Sequence, residues 1–127
     1  MAQINKPSEH FNTKLYSGTG SSQALTGVGF QPDWTWIKQR TSTQEHWLVD
    51  VVRGTTQFLE SNSTNAESSD GATGFTSFDS DGFTVNTSAR TNASSNTYAS
   101  WNWKAAGTAP TKTYTVKVVS DSGNKYR

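Results

Sequence analysis

Cysteine is absent from this chain, which excludes disulfides and thiolate metal sites and leaves the redox compartment unread. Long apolar runs are missing too: nothing approaches the roughly 18 residues of a membrane span. The start, Met1-Ala2-Gln3-Ile4-Asn5-Lys6-Pro7, has no apolar h-region, so the expectation is synthesis in a cytoplasm without a signal peptide and no membrane insertion. Charge of one sign is also lacking. Eleven Lys and Arg face ten Asp and Glu, a net charge of +1, and the basic residues are scattered, with Lys38/Arg40 the nearest to a pair. Nucleic acid, which needs a clustered basic face, is excluded as a partner. Aliphatic residues are few. Hydrophobic residues make up 31% of the 127, against about 45–50% in ordinary globular chains.

In their place stand Ser, Thr and Asn, about a third of the chain, together with five Trp, six Phe and four Tyr. Hydroxyl and amide side chains suit turns and solvated strand faces and disfavour helix interiors. A core short of Leu and Ile must be filled by aromatic rings, each of which buries a large area.

No window repeats apolar residues at helical spacing, so no long helix is expected. Short alternating runs bounded by turn residues recur instead. Phe11 to Tyr16 is one, ended by Ser17-Gly18-Thr19-Gly20-Ser21. Thr26-Gly27-Val28-Gly29-Phe30-Gln31-Pro32-Asp33 reads as a structured loop, since its glycines allow positive φ and its proline excludes a central strand. Trp34 to Arg40 carries bulk on both faces and is expected to be a central strand. His46 to Arg53 follows, with Trp47, Val49 and Val51 on one face. Thr56 to Glu60 is a shorter run before a polar loop, Ser61 to Ala72. Phe75-Thr76-Ser77-Phe78 and Phe83-Thr84-Val85-Asn86 form a hairpin around a four-residue loop, Asp79-Ser80-Asp81-Gly82, that sets Phe78 against Phe83. A second polar loop, Thr87 to Asn96, leads into Thr97 to Lys104, where Ala99, Trp101 and Trp103 share a face opposite Tyr98, Ser100, Asn102 and Lys104.

Seven or eight such strands predict an all-β fold, an antiparallel β-sandwich of jelly-roll or concanavalin-like type, with a closed β-barrel as the alternative. Residues 1–107 form the Trp-rich sandwich. Residues 108–127 read as a linker and the start of a following hairpin or module: Tyr114 to Val119 is a strand, Asp121-Ser122-Gly123-Asn124 a turn, and Lys125-Tyr126-Arg127 a return strand that stops. A half hairpin leaves an unpaired edge. Either the chain is a fragment of a longer protein, the expectation preferred here, or a partner supplies the missing strand.

Seven segments occur in order: Tyr16-Ser17-Gly18-Thr19-Gly20-Ser21-Ser22, Gly27-Val28-Gly29-Phe30-Gln31-Pro32-Asp33, Trp36-Ile37-Lys38-Gln39-Arg40, Val52-Arg53-Gly54, Ser61-Asn62-Ser63-Thr64, Ser77-Phe78-Asp79-Ser80-Asp81-Gly82-Phe83-Thr84-Val85 and Trp101-Asn102-Trp103-Lys104-Ala105. Together they resemble a Trp-rich, lectin-like domain found in tail-fibre and other large virion proteins of marine bacteriophages. The likeness runs from about Phe11 to Gly107. It implies a sandwich carried on a phage particle, located in the virion, and it brings no catalytic residues. Pro110 to Arg127 departs from it.

Candidate sites are few. Asp79-Ser80-Asp81-Gly82 opens like a calcium loop, yet Phe83, Val85 and Asn86 follow where further oxygen ligands belong; the expectation is a turn in which Asp caps backbone amides. His10 and His46 have no third ligand, so no metal and no cofactor is assigned. Asp50, between Leu48 and Val52 on one face, needs a cationic partner, Arg53 or Arg90. No Gly-x-Ser-x-Gly turn marks a nucleophile, and the acidic residues fall mostly in turns, so no enzyme is expected. The sequons at Asn62, Asn86 and Asn92 are chance products of an Asn/Ser/Thr-rich surface. Trp34, Trp36, Trp101 and Trp103, with Phe78 and Phe83, are assigned to the core. Ligand contacts are assigned to the polar loops and the strand face beside them: Asn62, Asn65, Arg90, Asn92, Asn96, Tyr98 and Asn102. The expected function is a virion surface module binding host glycan or a neighbouring particle protein, as a homo-oligomer or part of a larger assembly. The alternative is a purely structural fibre, decoration or assembly module.

Overall fold

The computed structural model describes residues 6–105; the expected linker, the strand at Tyr114 to Val119 and the domain boundary at 107/108 lie outside the described residues. After a 3-10 turn at Pro7–Glu9 come β1 (Phe11–Ser17), β2 (Gln23–Leu25), β3 (Trp34–Gln39), β4 (Trp47–Asp50), β5 (Gln57–Phe58), β6 (Ser68–Ser69), β7 (Phe75–Asp79), β8 (Gly82–Val85), α1 (Ala89–Asn92) and β9 (Thr97–Trp103). A four-stranded sheet has the order β1-β9-β3-β4 and a three-stranded sheet the order β2-β8-β7, while β5 and β6 form a small ribbon. Every pairing is antiparallel. Leu48 bridges to Leu59 and ties that ribbon to β4. The fold is an antiparallel β-sandwich, with no closed barrel among the described residues.

One core joins the sheets. Tyr16, Ile37, Trp47, Val49 and Tyr98 come from the four-stranded sheet, Leu25, Phe75, Phe83 and Val85 from the three-stranded one, and Phe58 from β5. Tyr16 stacks on Tyr98 at 5.0 Å and meets Phe83 edge-on at 6.4 Å. Trp47, 2% exposed, stacks on Phe58 at 4.1 Å. Phe83 is fully buried and Phe78 packs half-buried against the cluster.

The other four tryptophans correct the sequence expectation. Trp34, Trp36, Trp101 and Trp103 alternate with the inward residues and lie on the outer face of their sheet. The residues turned inward from β3 and β9 are Thr35, Ile37, Gln39, Tyr98, Ser100 and Asn102, all buried. A period of two separates the faces of a strand without saying which is inner. The aromatic density of β7 and β8 already fills the interior opposite Ile37 and Tyr98. Three of the inward polar residues satisfy one another locally: Thr35 Oγ1 donates to Asn102 Oδ1 at 3.1 Å, and Asn102 Nδ2 donates to Ser100 Oγ at 3.1 Å and to the Asn12 carbonyl at 3.2 Å, whereas Gln39 Oε1 is buried without a partner.

Smaller differences follow from backbone geometry. β4 ends at Asp50, because its carboxylate accepts from the amides of Val52 and Arg53 and starts a turn. β2 falls between Ser21 and Thr26, in a stretch to which the sequence assigned no element. The hairpin pairs Asp79 with Gly82, so its loop is the two residues Ser80 and Asp81, not four. Gly82 has φ +152°, and a Cβ there would collide with the Leu25 carbonyl, so only glycine fits where the end of β2 lies against β8. Within the loop expected at Thr87–Asn96, Ser88 caps one short helical turn by accepting from the Arg90 amide.

Candidate functional site: an aromatic sheet face

The register of the four-stranded sheet lays the outward side chains in rows. Phe11, Trp103, Trp34 and Asp50 form one row, and Thr13, Trp101, Trp36 and Leu48 the next, prolonged by Leu59 across its bridge. Leu15, Ala99 and Lys38 form a third. Cross-strand neighbours on one face touch, and in the first two rows five of them are rings. Centroids are 4.9 Å apart for Phe11–Trp103, 4.3 Å for Trp103–Trp34, 6.5 Å for Trp34–Trp36 and 5.5 Å for Trp36–Trp101. His46 adds a sixth ring 5.6 Å from Trp36. The indoles are half-buried, each shielded by the next, while Phe11 and Leu15 at the margin are 40% and 59% exposed.

Polar groups fence the array. Trp36 Nε1 donates to His46 Nδ1 at 3.0 Å, which requires that nitrogen to be unprotonated. Burial, and then the positive charge of Lys38, hold the His46 pKa below its ordinary value. Lys38 Nζ donates to the Gln44 carbonyl at 2.6 Å, closing the turn that carries His46. At the opposite corner Arg53 Nε pairs with Asp50 Oδ2 at 2.6 Å. Burial pushes the Asp50 pKa up, but the amide and guanidinium of Arg53 and the amide of Val52 outweigh it and leave the carboxyl below its usual range. Of the two cations expected for Asp50, Arg53 is the partner.

The expected ligand contacts do not converge. Tyr98 and Asn102 are buried on the inner face; Tyr98 Oη donates to the Ala89 carbonyl and accepts from the Ala93 amide. Asn92 is also buried and acts as a clip: its Nδ2 donates to the carbonyls of Ser21 and Asn86 at 2.6 and 2.7 Å, and its Oδ1 accepts from the Thr19 amide. These three cannot meet a ligand. Arg90 is held by Glu60 at 2.6 Å and lies over the Phe58 ring, and the Glu60 carboxylate, 7% exposed, also accepts from Asn65 Nδ2. Asn62 and Asn65 are exposed, yet Asn62 Oδ1 accepts from the His46 amide. Asn96 lies apart from them, its Oδ1 accepting from Thr41 Oγ1. The face instead recruits Phe11, Leu15, His46 and Leu48, for which alternation along β1 and β4 was the available signal.

At the hairpin, Asp81 works as a backbone cap. Its carboxylate accepts from the amides of Gly27 at 2.9 Å and Gly29 at 2.6 Å, which lower its pKa and fix the Gly27–Gly29 loop beside the turn. Asp79 Oδ2 accepts from Thr84 Oγ1 at 2.7 Å.

A family model described as a domain of unknown function (DUF7483) matches residues 6–125. The chain belongs to that family. Neither the curated proteins nor the solved structures contain a significant match to this DUF7483 domain.

Proposed function

We propose that this DUF7483 domain is a binding module displayed on a phage particle, that it takes host glycan on the outer face of the β1-β9-β3-β4 sheet, and that it performs no reaction. The observation that carries the reading is the continuous array of Phe11, Trp103, Trp34, Trp36 and Trp101. The C–H faces of pyranose rings stack on indole, and tryptophan concentrates binding energy where it can be desolvated. Rings already braced by their cross-strand neighbours lose little freedom on binding. The groups at the margin, Thr13, Lys38 and the Asp50–Arg53 pair, supply hydroxyl, ammonium and carboxylate groups for sugar hydroxyls. The polar loops, first expected to make these contacts, are engaged in holding the fold. The placement on a phage particle rests on the resemblance of the ordered segments from Tyr16 to Ala105.

A second reading, an assembly module, has the apolar margin in its favour: Leu15, Leu48 and Leu59 extend the face beyond the rings, as a protein interface would. The two readings separate by experiment. Lipopolysaccharide, capsular polysaccharide and a soluble β-glucan are screened by affinity electrophoresis with tryptophan fluorescence as readout. Retardation by one of them, lost in Trp36→Ala and Trp103→Ala and kept in Asn65→Ala, supports glycan binding on this face. No retardation by any of the three, or loss in Asn65→Ala alone, overturns it.

A further inference from the structure

We propose that β1 is a self-pairing edge: two copies of the domain join antiparallel along Phe11–Ser17 about a twofold axis at Thr13, making one eight-stranded sheet. This inference rests on the backbone of β1 and is independent of the glycan reading.

The Lys104 amide donates to the His10 carbonyl at 2.8 Å, and the Gly18 amide donates to the Asn96 carbonyl at 2.8 Å. Those bonds set the phase of the ladder: the even-numbered residues of β1 turn their backbone groups toward β9. Alternation then turns the amides and carbonyls of Phe11, Thr13, Leu15 and Ser17 away from the sheet. All four residues are exposed, and no described strand pairs with this side. A row of unpaired donors and acceptors is a template for another strand.

The other margins carry devices that hinder pairing. β4 is capped by Leu59, β2 has three residues, and β7 carries a register shift between Phe75 and Ser77. β1 runs seven residues in unbroken register with β9 and contains no proline. Its one charge, Lys14, lies on the inner side, where its field lowers the pKa of Asp81; the Asp81 carboxylate offsets it.

The outward residues complement themselves. With the axis at Thr13, Phe11 of each copy lies opposite Leu15 of the other, so two of the most exposed apolar side chains in the described structure cover one another. Net charge of +1 per chain offers little repulsion. The Thr13 amide donates to Asn12 Oδ1 at 2.9 Å, a one-residue contact that a partner carbonyl replaces. Pairing sets the two aromatic faces edge to edge on one side of the joined sheet.

The test uses the full chain. Sedimentation velocity from micromolar to millimolar concentration follows association. The expected result is a reversible dimer that is lost in Thr13→Pro, with the near-ultraviolet circular dichroism of each monomer unchanged; proline is tolerated where the amide points off an edge. Because cysteine is otherwise absent, single cysteines read the register. Across the axis the two residue-13 Cα atoms lie about 5.5 Å apart, within disulfide range, whereas two residues at position 17 are about 27 Å apart at 3.4 Å per residue. Oxidised Thr13→Cys should therefore give covalent dimer, and Ser17→Cys should not. Three results would overturn the proposal: a monomer throughout, whether the Leu15 and Ser17 amides exchange freely or are shielded by the chain's own residues; a dimer indifferent to Thr13→Pro; or equal cross-linking at both positions.

Discussion

Replacing one tryptophan in each environment tests the orientation of the large sheet. Trp47 is 2% exposed, stacks on Phe58 at 4.1 Å with an interplanar angle of 11°, and lies over Gly74, where any Cβ would strike the indole. Trp47→Ala leaves a cavity that a two-layer core cannot close, at a cost of about 3–5 kcal/mol. That is a large share of the roughly 5–15 kcal/mol that holds a domain together. Trp101 loses less. Its ring is half-buried and packs on Trp36 at 5.5 Å, and a cross-strand aromatic pair contributes about 0.5–1.5 kcal/mol beyond its area, so Trp101→Ala should cost about 1–2 kcal/mol. Trp47→Phe, which keeps a ring over Phe58, should fall between the two. Urea unfolding followed by far-ultraviolet circular dichroism gives the three values without relying on the indoles being removed. Equal costs for Trp47→Ala and Trp101→Ala, or the reverse order, would show that the outer face is covered as deeply as the core.

Other outcomes follow from single contacts. His46 has a folded pKa below its ordinary 6.5, through burial and then the charge of Lys38; the folded state disfavours its proton. The stability tied to it is complete above pH 6.5 and falls as pH drops below that value. The ring should titrate by NMR with a midpoint below 6.5, and indole fluorescence should change with it as the Trp36 bond breaks; a midpoint at or above 6.5 contradicts this. The Asp81 pKa is lowered by the amides of Gly27 and Gly29, so its contribution is present above about pH 4 and lost as pH falls through the folded value. Asp81→Ala should lower Tm at neutral pH, with a gap from the native chain that narrows in calorimetry at pH 3 or so; a gap constant with pH would refute the cap. Gly82→Ala combines a φ of +152° with a collision at the Leu25 carbonyl and should cost at least about 1–3 kcal/mol in denaturant unfolding. A loss within about 0.5 kcal/mol, the ordinary range of surface changes, would mean that the Leu25 carbonyl does not lie against Gly82.

Much of the architecture was legible locally. Phe75 to Val85 reads as a hairpin because two aromatic runs flank Asp79-Ser80-Asp81-Gly82, and the structure pairs Phe78 with Phe83 as those residues require. The two-residue turn was not legible, because the choice of Gly82 reflects the close approach of the Leu25 carbonyl from the neighbouring strand, a contact 57 residues away in sequence. β2, with only Gln23, Ala24 and Leu25, has no periodicity to read; it is a strand because β8 pairs with it. Asn92 has the composition of a loop residue, and only the convergence of Thr19, Ser21 and Asn86 around it turns it into a buried clip.

The candidate site divides in the same way. From the chain alone, Trp34 with Trp36 and Trp101 with Trp103 had to share strand faces, since side chains two apart point the same way. That these faces would meet across β3 and β9 depended on the register Trp34↔Trp103 and Trp36↔Trp101, which pairing sets. Which face turned inward was decided by the second sheet. Leu25, Phe75, Phe83 and Val85 already occupy the interior against Ile37 and Tyr98, and packing at crystal-like density leaves no room for four more indoles. Alternation determined the grouping of the tryptophans, and the long-range packing of two sheets determined that they lie outside.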